Sequence, residues 1–176
     1  MAHEVSHQWT PSTDPNRFCD EGVAHYLQAR LEGERFGQEA RWKATDYQRR
    51  WLLAHPEAAR VPLARSAEHP DQLDGVARIK GPLAPTVLNA CVGDEGMWDL
   101  LRGWIHSSDT ALRTAADFCA HVRGWTRQRG SFDGDRFLEE WFEIAGPPPL
   151  GDAAQRPIAE VVHAWGARCG SPERQT

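Results

Sequence analysis

The chain has 176 residues, 40% hydrophobic and 26% charged, which suits one domain hiding roughly 70% of its unfolded surface. Its net charge of -5 and scattered basic residues exclude a nucleic-acid footprint, which needs cations clustered on one face. No apolar run approaches the about 18 residues of a membrane span. The cysteines, Cys19, Cys91, Cys119 and Cys169, form no C-x-x-C pair and read as reduced core thiols. The opening Met-Ala-His-Glu lacks the basic-then-apolar pattern of a secretory signal, so a cytoplasmic protein is expected. Eight tryptophans serve cores and binding surfaces alike and decide nothing alone.

In chain order, residues 1–9 form a short segment carrying His3-Glu4-Val5-Ser6-His7. Residues 10–19 are polar and Pro-containing, a loop. Residues 20–33 predict an amphipathic helix. Val23, Leu27 and Leu31 recur at i, i+4, i+8 beside Tyr26, while Glu21, His25, Gln28 and Glu32 line another face. Residues 37–54 repeat the pattern with Ala40, Ala44, Tyr47 and Trp51 as the inward stripe. Residues 55–75 hold Pro56, Pro62 and Pro70 without a period, which predicts a long loop. A helix follows over 76–90, starting near Gly81 or kinked by Pro82 and Pro85. Further helices are expected over 94–106, with Met97, Leu100, Leu101 and Trp104 inside, and over 115–128, opened by a Thr114-x-x-Asp117 capping box. Residues 134–145 bury Phe137, Leu138, Trp141 and Phe142 before Pro147-Pro148-Pro149, and 155–168 form a last short helix. No strand alternation occurs, so the class is all-α, with residues 1–150 as the main unit and 151–176 as a C-terminal helix and tail.

Residues four apart on a helix point the same way, so His3 and His7 can share one metal ion. Two imidazoles and one carboxylate suit Zn2+ and leave a fourth position open. Zinc brings the pKa of its bound water toward roughly 7, and Glu4, one step round from His3, is placed to take the proton. The plainer alternative is a surface helix with two unrelated histidines.

His3-Glu4-Val5-Ser6-His7-Gln8-Trp9, then Asp20-Glu21-Gly22-Val23-Ala24-His25-Tyr26, resembles the catalytic core of the aminopeptidase N and leukotriene hydrolase family of gluzincin metallopeptidases. Lys80-Gly81 resembles a later family helix, and Trp141, Gly146, Pro147 and Leu150 an element near the end of its catalytic domain. The resemblance implies His3, His7 and Glu21 as zinc ligands, Glu4 as general base, and the helical half of a thermolysin-like catalytic domain. Three departures stand beside it. The spacer between His7 and Glu21 is 13 residues, shorter than the family's. The family's transition-state tyrosine falls at Arg78. The chain opens at the motif, so the family's upstream sheet and amine-capturing segment are not among these residues. The expectation is a zinc-dependent hydrolase of a peptide, amide or small biosynthetic substrate, with a homodimer or partner subunit, or the chain's own residues, completing the cleft. The other class of reading is a degenerate, non-catalytic zinc module that binds a partner.

Other residues carry open alternatives. His25, four after Glu21, reads as a hydrogen-bonding neighbour of the carboxylate, a proton donor, a fourth ligand, or a half-exposed helix histidine. Arg78 reads as an oxyanion stabiliser or a surface arginine. Trp9 reads as core, Cys19 as a buried thiol rather than a stray soft ligand, and His106, His121 and His163 as structural. Arg123, Arg127 and Arg129 read as a solvated helix end.

Overall fold

In the computed structural model, residues 2–10, 12, 14–106, 113–130, 132–145 and 156–169 are described. Helix α1 spans Ala2–Ser6. A π turn over Phe18–Gly22 leads into α2, Val23–Phe36. Helix α3, Gln38–Ala54, follows after Gly37. Short turns come next: α4 (Pro56–Ala59), a 3-10 turn (Leu63–Glu68) and α5 (Leu73–Gly75). A second π turn, Val76–Lys80, opens α6, Gly81–His106. Then come α7 (Ala115–Arg129), α8 (Gly134–Leu138), a third π turn (Glu139–Glu143) and α9 (Ile158–Cys169). The described residues are mostly helical and contain no strand, as the all-α periodicity requires. None of their helices is long and apolar enough to cross a membrane.

Local chemistry explains most boundaries. The Thr114 hydroxyl accepts from the Asp117 amide while the Asp117 carboxylate accepts from the Thr114 amide, so α7 starts with a reciprocal capping box. The π turn at Val76–Lys80, closed by the Gly81 amide donating to the Val76 carbonyl, widens the helix just ahead of Pro82 and Pro85. The residues 76–90 and 94–106 therefore run through one kinked element. Its kink is Gly93, whose φ of 75° is strained for any residue with a Cβ.

The core is aromatic. Phe18 meets Phe118 at 5.0 Å and Phe142 at 4.8 Å between ring centroids, and Trp104 meets Phe118 at 5.2 Å. Trp104, Trp141, Phe137 and Phe142 are fully buried. Helix α9 lies along α6 and brings Val161, Val162 and Trp165 into this core.

Three expectations need correction. Residues 55–75 are not an open loop. They fold into short helical turns whose Leu63 and Ala58 are fully buried: Pro56 opens α4 and Pro62 immediately precedes the 3-10 turn, positions where a proline costs no helical hydrogen bond. The buried residues of α3 are Arg41, Thr45, Gln48, Arg49 and Leu52; of the expected stripe Trp51 packs against the core, while Tyr47 is 62% exposed. Long polar side chains bury their stems there and satisfy their heads by hydrogen bonds, which apolar periodicity does not register. Trp9 is 46% exposed and stands beside Val5 at 43%, so the first helix presents an apolar flank. Gly146, Pro147 and Leu150, which carry the last part of the family resemblance, lie outside the described residues.

The segment between α1 and α2 is stitched to the start of α7. Asp14, buried, accepts from the Ala115 amide and, through its other oxygen, from the Asn16 amide. The Ser12 hydroxyl donates to the Arg113 carbonyl, and the Arg113 guanidinium donates to the carbonyls of Trp9 and Ile105.

Candidate metal centre

Helix α1 packs on α2, and His3, Glu21 and His25 come to one point with His7 against His3. His3 and His7, one turn apart on the first segment, place their Nε2 atoms 3.1 Å from each other. The Nε2 of His3 is 3.5 Å from Glu21 Oε2. The Nε2 of His25, one turn beyond Glu21, is 3.7 Å from the same oxygen. Possible ligand atoms of His3, Glu21 and His25 all fall within 4.8 Å of one another. A tetrahedral ion with bonds of about 2.0–2.2 Å puts its ligand atoms about 3.3–3.6 Å apart, so the observed separations straddle the edges of such a shell.

The two oxygens of Glu21 have different surroundings. Oε1 accepts from Arg17 at 2.5 Å and from Arg78 at 2.9 Å. Oε2 is buried and takes no hydrogen bond among the described residues, and the same holds for His25 Nε2. Buried polar atoms left bare cost about 1–3 kcal/mol each, so Glu21 Oε2 and His25 Nε2, 3.7 Å apart, are both sites for a partner. A divalent cation would serve both a carboxylate oxygen and a neutral imidazole, and a donor set of imidazoles and one carboxylate fits zinc.

Bracing around the cluster is extensive. Arg17 and Arg78 both reach Asp74 as well as Glu21, at 3.0 and 2.8 Å, which ties the carboxylate to α5. Asp20 Oδ1 lies 2.7 Å from His7 Nδ1, an ion-pair distance, while His7 Nε2 faces His3 Nε2. The hydrogen bond to Asp74 holds the Arg78 guanidinium above its ordinary pKa. Burial, joined by His3, holds the His25 imidazole below its own, which favours the neutral ring.

The approach of these elements depends on two glycines. A Cβ on Gly22 would come within 3.1 Å of the Gly81 Cα, and one on Gly81 within 2.9 Å of the Gly22 Cα. The π turn that ends at Gly22 and the start of α6 therefore touch backbone to backbone. That contact brings Glu21 and Arg78 within hydrogen-bonding range.

The structure gathers His3, Glu21 and His25, sets His7 against His3 and Asp20 rather than against Glu21, and places Arg78 on Oε1 of Glu21. Glu4 is exposed on α1 and makes no hydrogen bond or ion pair among the described residues. Arg17, Asp20 and Asp74 were not singled out from the sequence, although Arg17 stands at ion-pair spacing four residues before Glu21. Cys19 is fully buried, and burial pushes its thiol well up, the behaviour of a core cysteine. A cavity of about 650 Å³ opens beside the cluster between α2 and α3. His25 and Arg78 line it at the cluster, and Ala29, Ala40, Ala44 and Ile79 supply apolar wall. Ala40, Ala44 and Tyr47 of the α3 stripe border this space.

No protein-family model matches the chain, and neither the curated proteins nor the solved structures contain a match.

Proposed function

We propose that this protein binds one zinc ion through His3, His7 and Glu21 and hydrolyses an amide, peptide or related electrophile. The observation that carries the reading is the bare, buried Glu21 Oε2 with His3 Nε2 3.5 Å away. The resemblance of residues 3–26 to the gluzincin core supports it, as does an all-α body of the kind expected for the helical half of a thermolysin-like domain. Bound zinc supplies a Lewis acid for a carbonyl and a water acidified toward pH 7. Glu4, one residue beyond His3, is the carboxylate that would serve as base there. Arg17 and Arg78 hold Oε1 of Glu21, which aims Oε2 at the ligand position. Arg78, committed to Glu21 and Asp74, acts as a positioning residue. His25 borders both the cluster and the 650 Å³ cavity, where it donates a hydrogen bond to the substrate while the alanines and Ile79 receive an apolar group.

The position of His25 also favours a second reading. With its Nε2 3.7 Å from Glu21 Oε2, it is placed to be a fourth ligand that closes the shell and makes the zinc structural. Metal analysis with a fluorogenic peptide library separates the two. Hydrolysis requires zinc in wild type, Glu4→Gln and His25→Ala, none in His7→Ala or Glu21→Ala, and turnover lost in Glu4→Gln. Zinc lost from His25→Ala with no turnover in wild type establishes the closed site. Stoichiometric zinc in both His7→Ala and Glu21→Ala refutes the ligand assignment.

A further inference from the structure

A second cavity, about 440 Å³, lies between α3, α6 and α9, apart from the metal cluster. Its walls include Gln38, Arg41, Trp42, Asn89, Asp94 and His163. Arg41 is only 8% exposed. Its stem packs over Gly33, where a Cβ would come within 2.9 Å of the Arg41 Cβ, so the glycine lets α3 lie close on α2.

Arg41 has no carboxylate in direct contact among the described residues. Its Nη2 donates to Asn89 Oδ1 at 3.1 Å. The same amide oxygen also receives Arg30 Nη1 at 2.6 Å and the Tyr26 hydroxyl at 2.9 Å. Three donors thus share one neutral acceptor. The nearby carboxylates are taken by Arg30, with Asp94 at 2.7 Å and Glu34 at 3.8 Å. Arg41 makes no ion pair among the described residues. A guanidinium carries five N–H donors, and Arg41 gives one side-chain hydrogen bond among the described residues. Burial, the largest effect, holds the Arg41 pKa below its ordinary value, and Arg30 acts in the same direction.

We propose that this cavity is a binding site for a small oxyanion, the carboxylate or phosphate group of an organic ligand, gripped by the Arg41 guanidinium. The planar fork matches two oxygens of either group, and it is the donor geometry best suited to them. Trp42 lies under the guanidinium, 5.2 Å from ring centroid to Cζ, and packs edge-on against His163 at 5.9 Å. These two rings form an aromatic corner for the organic part of the ligand. Asp94 on the cavity wall opposes the anion and sets a charge test that a merely structural arginine would not pass.

The test is isothermal titration at low ionic strength with inorganic phosphate and, separately, with benzoate. Wild type binds at least one of them. Tighter phosphate identifies a phosphate ligand, and tighter benzoate an aromatic carboxylate. Arg41→Gln weakens the better probe by about tenfold or more, a loss of about 1.4 kcal/mol. Asp94→Asn, at an exposed position, tightens it several-fold. Wild type without affinity for either probe at about 10 mM, Arg41→Gln binding as wild type does, or Asp94→Asn failing to tighten would overturn the site. The last comparison decides the matter if Arg41→Gln does not fold.

Discussion

Lys80 gives the sharpest stability test. Its side chain is fully buried, and its ammonium donates to the carbonyls of Ala59 and Val61 at 3.0 and 2.6 Å. Burial pushes its pKa down from 10.5 to about 8. Between those values the unfolded chain holds a proton that the native protein has released, so stability rises with pH through this window and falls as pH drops toward the folded value. The full fall in pKa corresponds to about 3 kcal/mol, of which about 2 kcal/mol appears between pH 7 and pH 9.5. Other groups oppose the rise. Burial pushes the Cys119 thiol up to about 12 and the Cys19 thiol and Tyr26 hydroxyl upward too. Their unfolded counterparts ionise first, which removes stability as pH climbs. The informative quantity is therefore a difference. Urea denaturation followed by tryptophan fluorescence, on wild type and Lys80→Met from pH 7 to 9.5, isolates the lysine. Lys80→Met leaves two carbonyls bare at a cost of about 1 kcal/mol each, and that cost is flat with pH. Wild type should gain about 2 kcal/mol relative to the variant across the range. Parallel curves would show that Lys80 keeps its proton, held by its two carbonyls, and would refute the argument.

Other expected outcomes follow from the same contacts. Gly81→Ala forces a Cβ against the Gly22 backbone, so it should cost about 1–3 kcal/mol in urea unfolding and weaken zinc binding by parting Glu21 from Arg78. An unchanged zinc affinity, measured by chelator competition, would mean that the glycine contact does not set the ligand position. Thr114→Ala removes one half of the α7 capping box and should cost about 1 kcal/mol, read as a lower urea midpoint with unchanged slope.

Much of the candidate centre was legible because it is local. His3 and His7, and again Glu21 and His25, are four apart on helices, and that spacing alone predicts shared faces. Arg78 was visible only by resemblance, and its actual task, gripping Glu21 Oε1, depends on the Gly22–Gly81 contact between elements far apart in sequence. Asp74 became significant only once α5 was folded beside the cluster. The helical class followed from periodicity, yet the facing of α3 did not. Its alanines and Tyr47 border a cavity, while arginine and glutamine stems fill the interior. A pattern counted in apolar residues cannot tell a wall from a core when the buried side chains are long and hydrogen-bonded.

The stitch between the first segment and α7 has its own consequence. Helix α1 has five residues, far fewer than the about 12–15 an isolated helix needs to persist in water. Two attachments keep it in place. One is the cluster at Glu21, and the other is the route through Ser12, Asp14 and Arg113 to the first turn of α7. Whatever steadies one attachment lowers the freedom of the other. Zinc bound as proposed would therefore slow the exchange of the Ala115 amide proton, whose acceptor is Asp14, and that proton becomes a remote gauge of whether the metal is aboard.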